Sequence, residues 1–111
     1  MEELAKKRCI PCAGGVDPLA GDTLEALSRE LGHDWEIVDG RRLAKTFSFD
    51  DFASALAFVN RVGVMADAED HHPDIHLSWG KARVEIWTHT INGLTESDFV
   101  FAAKAETFFA G

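Results

Sequence analysis

The sequence is short of basic residues: 11 Lys and Arg stand against 19 Asp and Glu, for a net charge of −8. Nucleic-acid and anionic-membrane binding through a basic face is therefore excluded, because phosphate contacts need clustered Lys and Arg. The only basic cluster, Lys6-Lys7-Arg8, is short and reads as solvated charge. No segment approaches the roughly 20 apolar residues that a membrane helix needs. The opening residues, MEELAKKRCIPC, lack the apolar core of a secretory signal, and the expected location is the cytoplasm. No internal repeat or low-complexity segment is visible. Only two cysteines occur, Cys9 and Cys12. Their C-x-x-C pair sits in CIPCAGGVDPLAGD, a run too rich in Gly and Pro to open a helix as a thioredoxin-type redox pair does. A second pair, which a four-ligand structural zinc site needs, is missing. The two thiols are expected in a loosely held arm, with a disulfide or metal half-site as alternatives.

What remains is an ordinary globular composition over 111 residues, 46% hydrophobic and 27% charged. That suits one small domain with little surplus stability, for which oligomerisation would help. Residues 1–21 read as an N-terminal arm and 22–111 as the domain. GDTLEALSRELG predicts a short helix with Asp22 or Thr23 as cap, Leu24, Leu27 and Leu31 as its apolar face, and Gly32 as its stop. WEIVDGRRLAKTFSF predicts a hairpin turning at Asp39-Gly40. Residues 50–68 carry the clearest helical pattern: Phe52, Ala55, Leu56, Val59, Val62 and Ala66, with Ser48 as cap and Asp51 as capping-box acid. IHLSW and KARVEIWTHT predict two strands joined at Gly80-Lys81. In the second, Arg83, Glu85, Trp87 and His89 share the polar face. A last helix is expected over 96–109, with Thr95 as cap and Asp98 in the capping-box position. It is apolar nearly all round, which suggests a subunit interface. The order α-β-β-α-β-β-α implies an α+β domain: a four-stranded antiparallel sheet with three helices packed on one face.

The stretch EDHHPDIHLSWG, residues 69–80, concentrates the chemistry. Pro73 disfavours helical backbone at His72, so the pair His71-His72 lies in extended chain just past a helix. Adjacent residues there point to opposite sides, and the H-E-x-x-H spacing of a zinc site is absent, so metal binding is disfavoured. His33 reads as a helix-end bystander and His76 as a strand residue facing solvent. Glu69, Asp70 and Asp74 are near enough to hold the tautomers of the doublet. His89 joins from a neighbouring strand. Histidines from two elements suit acid–base work, in which one group gives a proton as another takes one. No positioned nucleophile accompanies them.

HHPD, then WG, VEIWTH and GLTESDFVFAAK, resemble the pterin-4a-carbinolamine dehydratases, also known as dimerisation cofactors of a homeodomain transcription factor. The likeness extends over nearly the whole chain, through CIPC-GG, Trp35 and the F-F-DF--AL-FVN-V pattern. It implies loss of water from a 4a-hydroxytetrahydropterin to give a quinonoid dihydropterin, without metal or organic cofactor, by a dimer or a dimer of dimers. It implies His71 and His89 as acid and base, with His72 binding and orienting the pterin. Pro73 would hold the backbone of the pair, and Trp79 or Trp87 would offer an aromatic wall. Asp98 matches the family's aspartate. Asp67 stands where the family usually has a glutamate, which leaves the reach of that carboxylate open. The alternatives are a non-catalytic dimerisation or protein-binding module, and action on a different pterin.

Overall fold

The computed structural model describes residues 1–10 and 17–109. The elements are α1 (Glu2–Lys6), α2 (Gly21–Leu31), β1 (Glu36–Val38), β2 (Arg42–Ser48), α3 (Phe52–Glu69), β3 (Asp74–Ser78), β4 (Lys81–Ile86), a 3-10 turn (His89–Ile91) and α4 (Glu96–Thr107). The strands form one antiparallel sheet in the order β1-β2-β4-β3. The fold is therefore α+β, as the element order implied. A short first helix and the 3-10 turn are additions to that order.

Local chemistry fixes the elements. The β1–β2 hairpin turns where Asp39 and Gly40 both take positive φ, 53° and 68°, the conformation that Asp-Gly favours. α3 starts at Asp51, whose carboxylate accepts from the Ser54 N–H at 2.8 Å. Ser48, expected as the cap, is instead the last residue of β2. α2 begins at Gly21, earlier than expected, behind Ala20 and without a side-chain cap, so neither Asp22 nor Thr23 caps it. The β3–β4 turn is Trp79-Gly80, and Lys81 already belongs to β4. Gly80 is required there: its carbonyl accepts from Phe49 N–H at 2.8 Å, and a Cβ would stand 3.0 Å from the Phe49 oxygen.

Strand alternation sorts the side chains. Leu43 and Phe47 of β2 pair with Ile86 and Ala82 of β4, and all four are buried beneath the helices. Phe47 anchors an aromatic cluster, 4.5 Å from Phe58 and 5.2 Å from Phe109 between ring centroids. Lys45 breaks the apolar pattern on this same face. Its Nζ lies 2.6 Å from Glu106 Oε2 of α4, which also accepts from Trp35 Nε1 at 2.8 Å. The opposite face is polar: Arg83 ties Glu36 and Glu85 together.

Two helices, α3 and α4, lie on the sheet, while α1 and α2 pack mainly against α4. The three expected helices are present, and the short α1 adds a fourth that packs on α4. The packing corrects the reading of the last helix as a subunit interface. Residues Ser97–Ala103 are all buried within the chain, because α1, α2, α3 and the sheet cover α4 on every side. The described part of the arm is likewise packed rather than loose. Leu4 is fully buried, and Lys104 Nζ donates to the Ala5 carbonyl at 2.8 Å. The large apolar side chains left exposed include Phe52, Leu56 and Val64, all on α3. No described helix is long and apolar enough to cross a membrane.

Candidate active site

The end of α3 aims the histidine doublet. Asp70 takes the left-handed conformation (φ 53°, ψ 42°) and its N–H bonds back to the helix. His71 N–H then reaches the Ala66 carbonyl at 3.1 Å, the six-to-one bond that closes a helix C-terminus. The chain leaves the helix sharply, and Pro73 keeps the next residues extended into β3.

The two imidazoles diverge to different carboxylates. His71, with 16% of its side chain exposed, has Nε2 2.6 Å from Asp98 Oδ1. His72 is 56% exposed and has Nε2 2.9 Å from Asp67 Oδ1. The shorter carboxylate at 67 thus reaches a histidine. Asp98 is fully buried at the start of α4. Its Oδ2 accepts from the Thr95 N–H and from Thr88 Oγ1, both at 2.9 Å. Thr88 has one hydroxyl proton and spends it on Asp98, so in its 3.0 Å contact with Thr95 Oγ1 it accepts. One carboxylate therefore caps α4, ties down the chain just past β4 and fixes the tautomer of His71. An acceptor on Nε2–H leaves Nδ1 as the nitrogen of His71 free to exchange a proton with a ligand.

His89 stands just past β4 rather than on it. The strand ends at Ile86, and His89 opens the 3-10 turn after the Thr88–Gly93 bridge. The expected strand stops early because Gly93 returns beside Thr88, bonding it twice through the backbone. Gly93 fits there because it lacks a side chain; a Cβ would come 2.7 Å from Pro18. The His89 ring stacks edge-on to Trp87, 4.3 Å between centroids, and Arg42 lies 4.8 Å over the same indole.

A cleft of about 260 Å³ unites these groups, lined by His71, His72, His89, Asp70, Trp87 and Thr88 together with Thr90 and Ile10. Asp67 and Asp98 stand behind it, each holding one imidazole. Pro73 is half-buried and shapes the backbone without lining the cleft. Trp79 lies away from it, 69% exposed at the tip of the β3–β4 turn. His76 is exposed on β3, and His33 sits 3.7 Å from Glu106, outside the cleft. Sequence reasoning missed Ile10, whose backbone is tied to Ser97, 87 residues away. Cys9, beside it, is buried, and Cys12 lies outside the described residues. Burial and the nearby Glu69 carboxylate push the Cys9 thiol up to about 12. Among the described residues, no three His, Cys, Asp or Glu side chains are grouped to hold a metal ion.

The fold and the cleft together define a class: an α+β domain in which imidazoles from a helix end and a strand end face one ligand-sized recess. The model of a family described as pterin 4 alpha carbinolamine dehydratase matches residues 17–108, and the chain belongs to that family. A Rubrobacter xylanophilus protein called "Putative pterin-4-alpha-carbinolamine dehydratase" is 56% identical over 106 residues, covering 96% of this chain and 98% of its own. A crystal structure of a transcriptional coactivator/pterin dehydratase from Brucella melitensis is similar at TM-score 0.78 and 32% identity. The match covers 86% of this chain and all of that one. A pterin dehydratase-like RuBisCO assembly factor of the alpha-carboxysome shares the fold, with TM-score 0.62 and 20% identity over 73% of this chain and 95% of its own.

Proposed function

We propose that the protein is a dehydratase that removes water from a 4a-hydroxytetrahydropterin by histidine acid–base catalysis, giving the quinonoid dihydropterin and so serving tetrahydrobiopterin recycling. The observation that carries this reading is the single cleft shared by His71, His72 and His89 in a chain of this family. The reaction asks for two proton transfers. A protonated imidazole gives its proton to the 4a oxygen, and the C–O bond breaks as water leaves. A neutral imidazole takes a proton from a ring N–H, whose electron pair closes the new C=N bond. A proton passed back between the two restores the starting state.

His71 and His89 share these roles. At His71 the proton moves through Nδ1, because Nε2–H is committed to Asp98. His72, held by Asp67, orients the substrate. Trp87 supplies the aromatic surface for a flat heterocycle; Trp79 is assigned no contact. Each well-placed proton transfer contributes roughly 10² to 10⁴ in rate. The chain's net charge of −8, and the pairing of Arg83 with Glu36 and Glu85, speak against direct nucleic-acid contact. A cytoplasmic location is part of the same proposal.

A homodimer or homotetramer is part of this proposal. Exposed Phe52, Leu56 and Val64 on α3 favour it, as do β1 and β3, which are edge strands among the described residues. The same surface supports a second reading, a protein-binding or dimerisation module, in keeping with the coactivator name of the Brucella relative. The test is stopped-flow decay of a freshly generated 4a-hydroxytetrahydropterin with purified protein. Acceleration proportional to protein concentration supports the dehydratase. Decay at the uncatalysed rate, from a folded protein, would leave the binding module.

A further inference from the structure

The family match begins at residue 17, yet a residue upstream of it forms part of the cleft. Ile10 is held there by bonds to both sides of its peptide. Its N–H donates to Ser97 Oγ at 2.8 Å, and Ser97 Oγ donates back to the Ile10 carbonyl at 3.2 Å. The preceding amide, Cys9 N–H, donates to Glu69 Oε1 at 2.8 Å. The Cys9 thiol is buried 3.5 Å from the Ser97 carbonyl oxygen. These bonds join the arm both to the end of α3, which carries the histidine doublet, and to the start of α4, which carries Asp98.

The anchoring contrasts with the side chain it presents. Ile10 is 73% exposed, among the highest values for a large apolar residue among the described residues. Fixing a backbone segment costs conformational entropy, and this one leaves an aliphatic group in water. Among the described residues, the rest of the cleft lining is polar apart from Trp87: Asp70, His71, His72, Thr88, His89 and Thr90. A planar heterocycle has two apolar faces and polar edges. The imidazoles can serve the edges and Trp87 one face, which leaves an apolar surface to be covered.

We propose that Ile10 is a substrate-contacting, affinity- and specificity-determining residue, an aliphatic wall that Ser97 and Glu69 hold against a flat bicyclic ligand in the histidine cleft. This rests on the dehydratase reading. Ser97 acts through Ile10 and is a positioning residue. The wall makes ground-state and transition-state contact alike, so its loss raises KM and leaves kcat nearly unchanged.

The experiment compares wild type, Ile10→Ala, Ile10→Val and Ser97→Ala in the carbinolamine decay assay. A 7,8-dihydropterin, read by quenching of tryptophan fluorescence, serves as a binding probe. Enclosed apolar contacts discriminate by about 10-fold or more, so an open cleft should give Ile10→Ala a KM raised roughly 5- to 10-fold, with kcat within about twofold. Ile10→Val should stay close to wild type. Ser97→Ala should raise KM less than Ile10→Ala and speed hydrogen exchange at the Ile10 amide. An active wild type whose KM and probe affinity survive Ile10→Ala overturns the inference and leaves the dehydratase reading intact. An inactive wild type that binds the probe more tightly than Ile10→Ala does retains the wall and removes the activity. A wild type that neither reacts nor binds the probe overturns both.

Discussion

Asp98→Asn keeps the side chain's volume and removes one acceptor from a site where two oxygens serve three donors. The amide has one oxygen to offer. If it faces His71, the NH2 meets the Thr95 N–H, which cannot turn away, and a buried donor is left unpaired at a cost of about 1–3 kcal/mol. If it faces Thr88 and Thr95, the NH2 meets His71 Nε2, and the imidazole must move its proton to Nδ1 to accept there. The second arrangement is cheaper and reverses the polarity of the nitrogen that meets the ligand. In either case each of the three bonds to a charged acceptor is weakened, reversed or lost. At roughly 0.5–1 kcal/mol lost per bond, the fold should lose about 2 kcal/mol. For a chain of this size that lowers Tm by roughly 8 °C. The rate should fall about 10² to 10⁴, because His71 presents the wrong tautomer to the ligand. Thermal unfolding followed by circular dichroism, and stopped-flow decay of the carbinolamine, read the two effects. A folded Asp98→Asn protein with an unchanged Tm and an unchanged kcat would refute the reasoning.

Glu106→Gln should destabilise the fold by about 2 kcal/mol in a urea titration, since it replaces the counter-charge 2.6 Å from the half-buried Lys45 ammonium with a neutral amide. Cys9 ties stability to alkaline pH. Its folded-state value, about 12, lies above the ordinary 9.0, so the unfolded chain gives up the proton first. That contribution is complete below pH 9 and shrinks as pH rises from 9 towards 12. The urea midpoint should fall between pH 8 and 10.5, and fall less in Cys9→Ala. Trp87→Ala should raise KM several-fold by removing an aromatic wall of the cleft, while Trp79→Ala, at the exposed turn, should leave KM as it is; the reverse order would relocate the binding face.

Local signals were legible in the sequence. Asp39-Gly40 marks its hairpin because few other pairs tolerate two positive φ values in succession. The apolar spacing of residues 52–66 marks α3, and His71-His72-Pro73 marks a break just past it. Thr95 and Asp98 read as a capping pair, which they are. What was hidden depends on partners far along the chain. The five residues of α1 carry too little pattern to announce a helix; Leu4 is buried only because α4 lies beneath it. That same cover explains why an all-round apolar last helix needs no subunit contact. Lys45 interrupts an apolar face in sequence, and the reason, Glu106, lies 61 residues on. The strand carrying His89 looked longer than it is, because the Gly93 return that ends it is a tertiary event. The histidine cleft was legible as a set of residue types, whereas its Ile10 wall was not.

The measurement closest to the central claim is single-turnover decay of the 4a-hydroxytetrahydropterin by wild type, His71→Ala and His89→Ala, each checked for folding by circular dichroism. Each substitution should cut the catalysed rate by about 10² or more while Tm shifts little for the exposed His89. Wild-type rates in both folded variants would contradict the account.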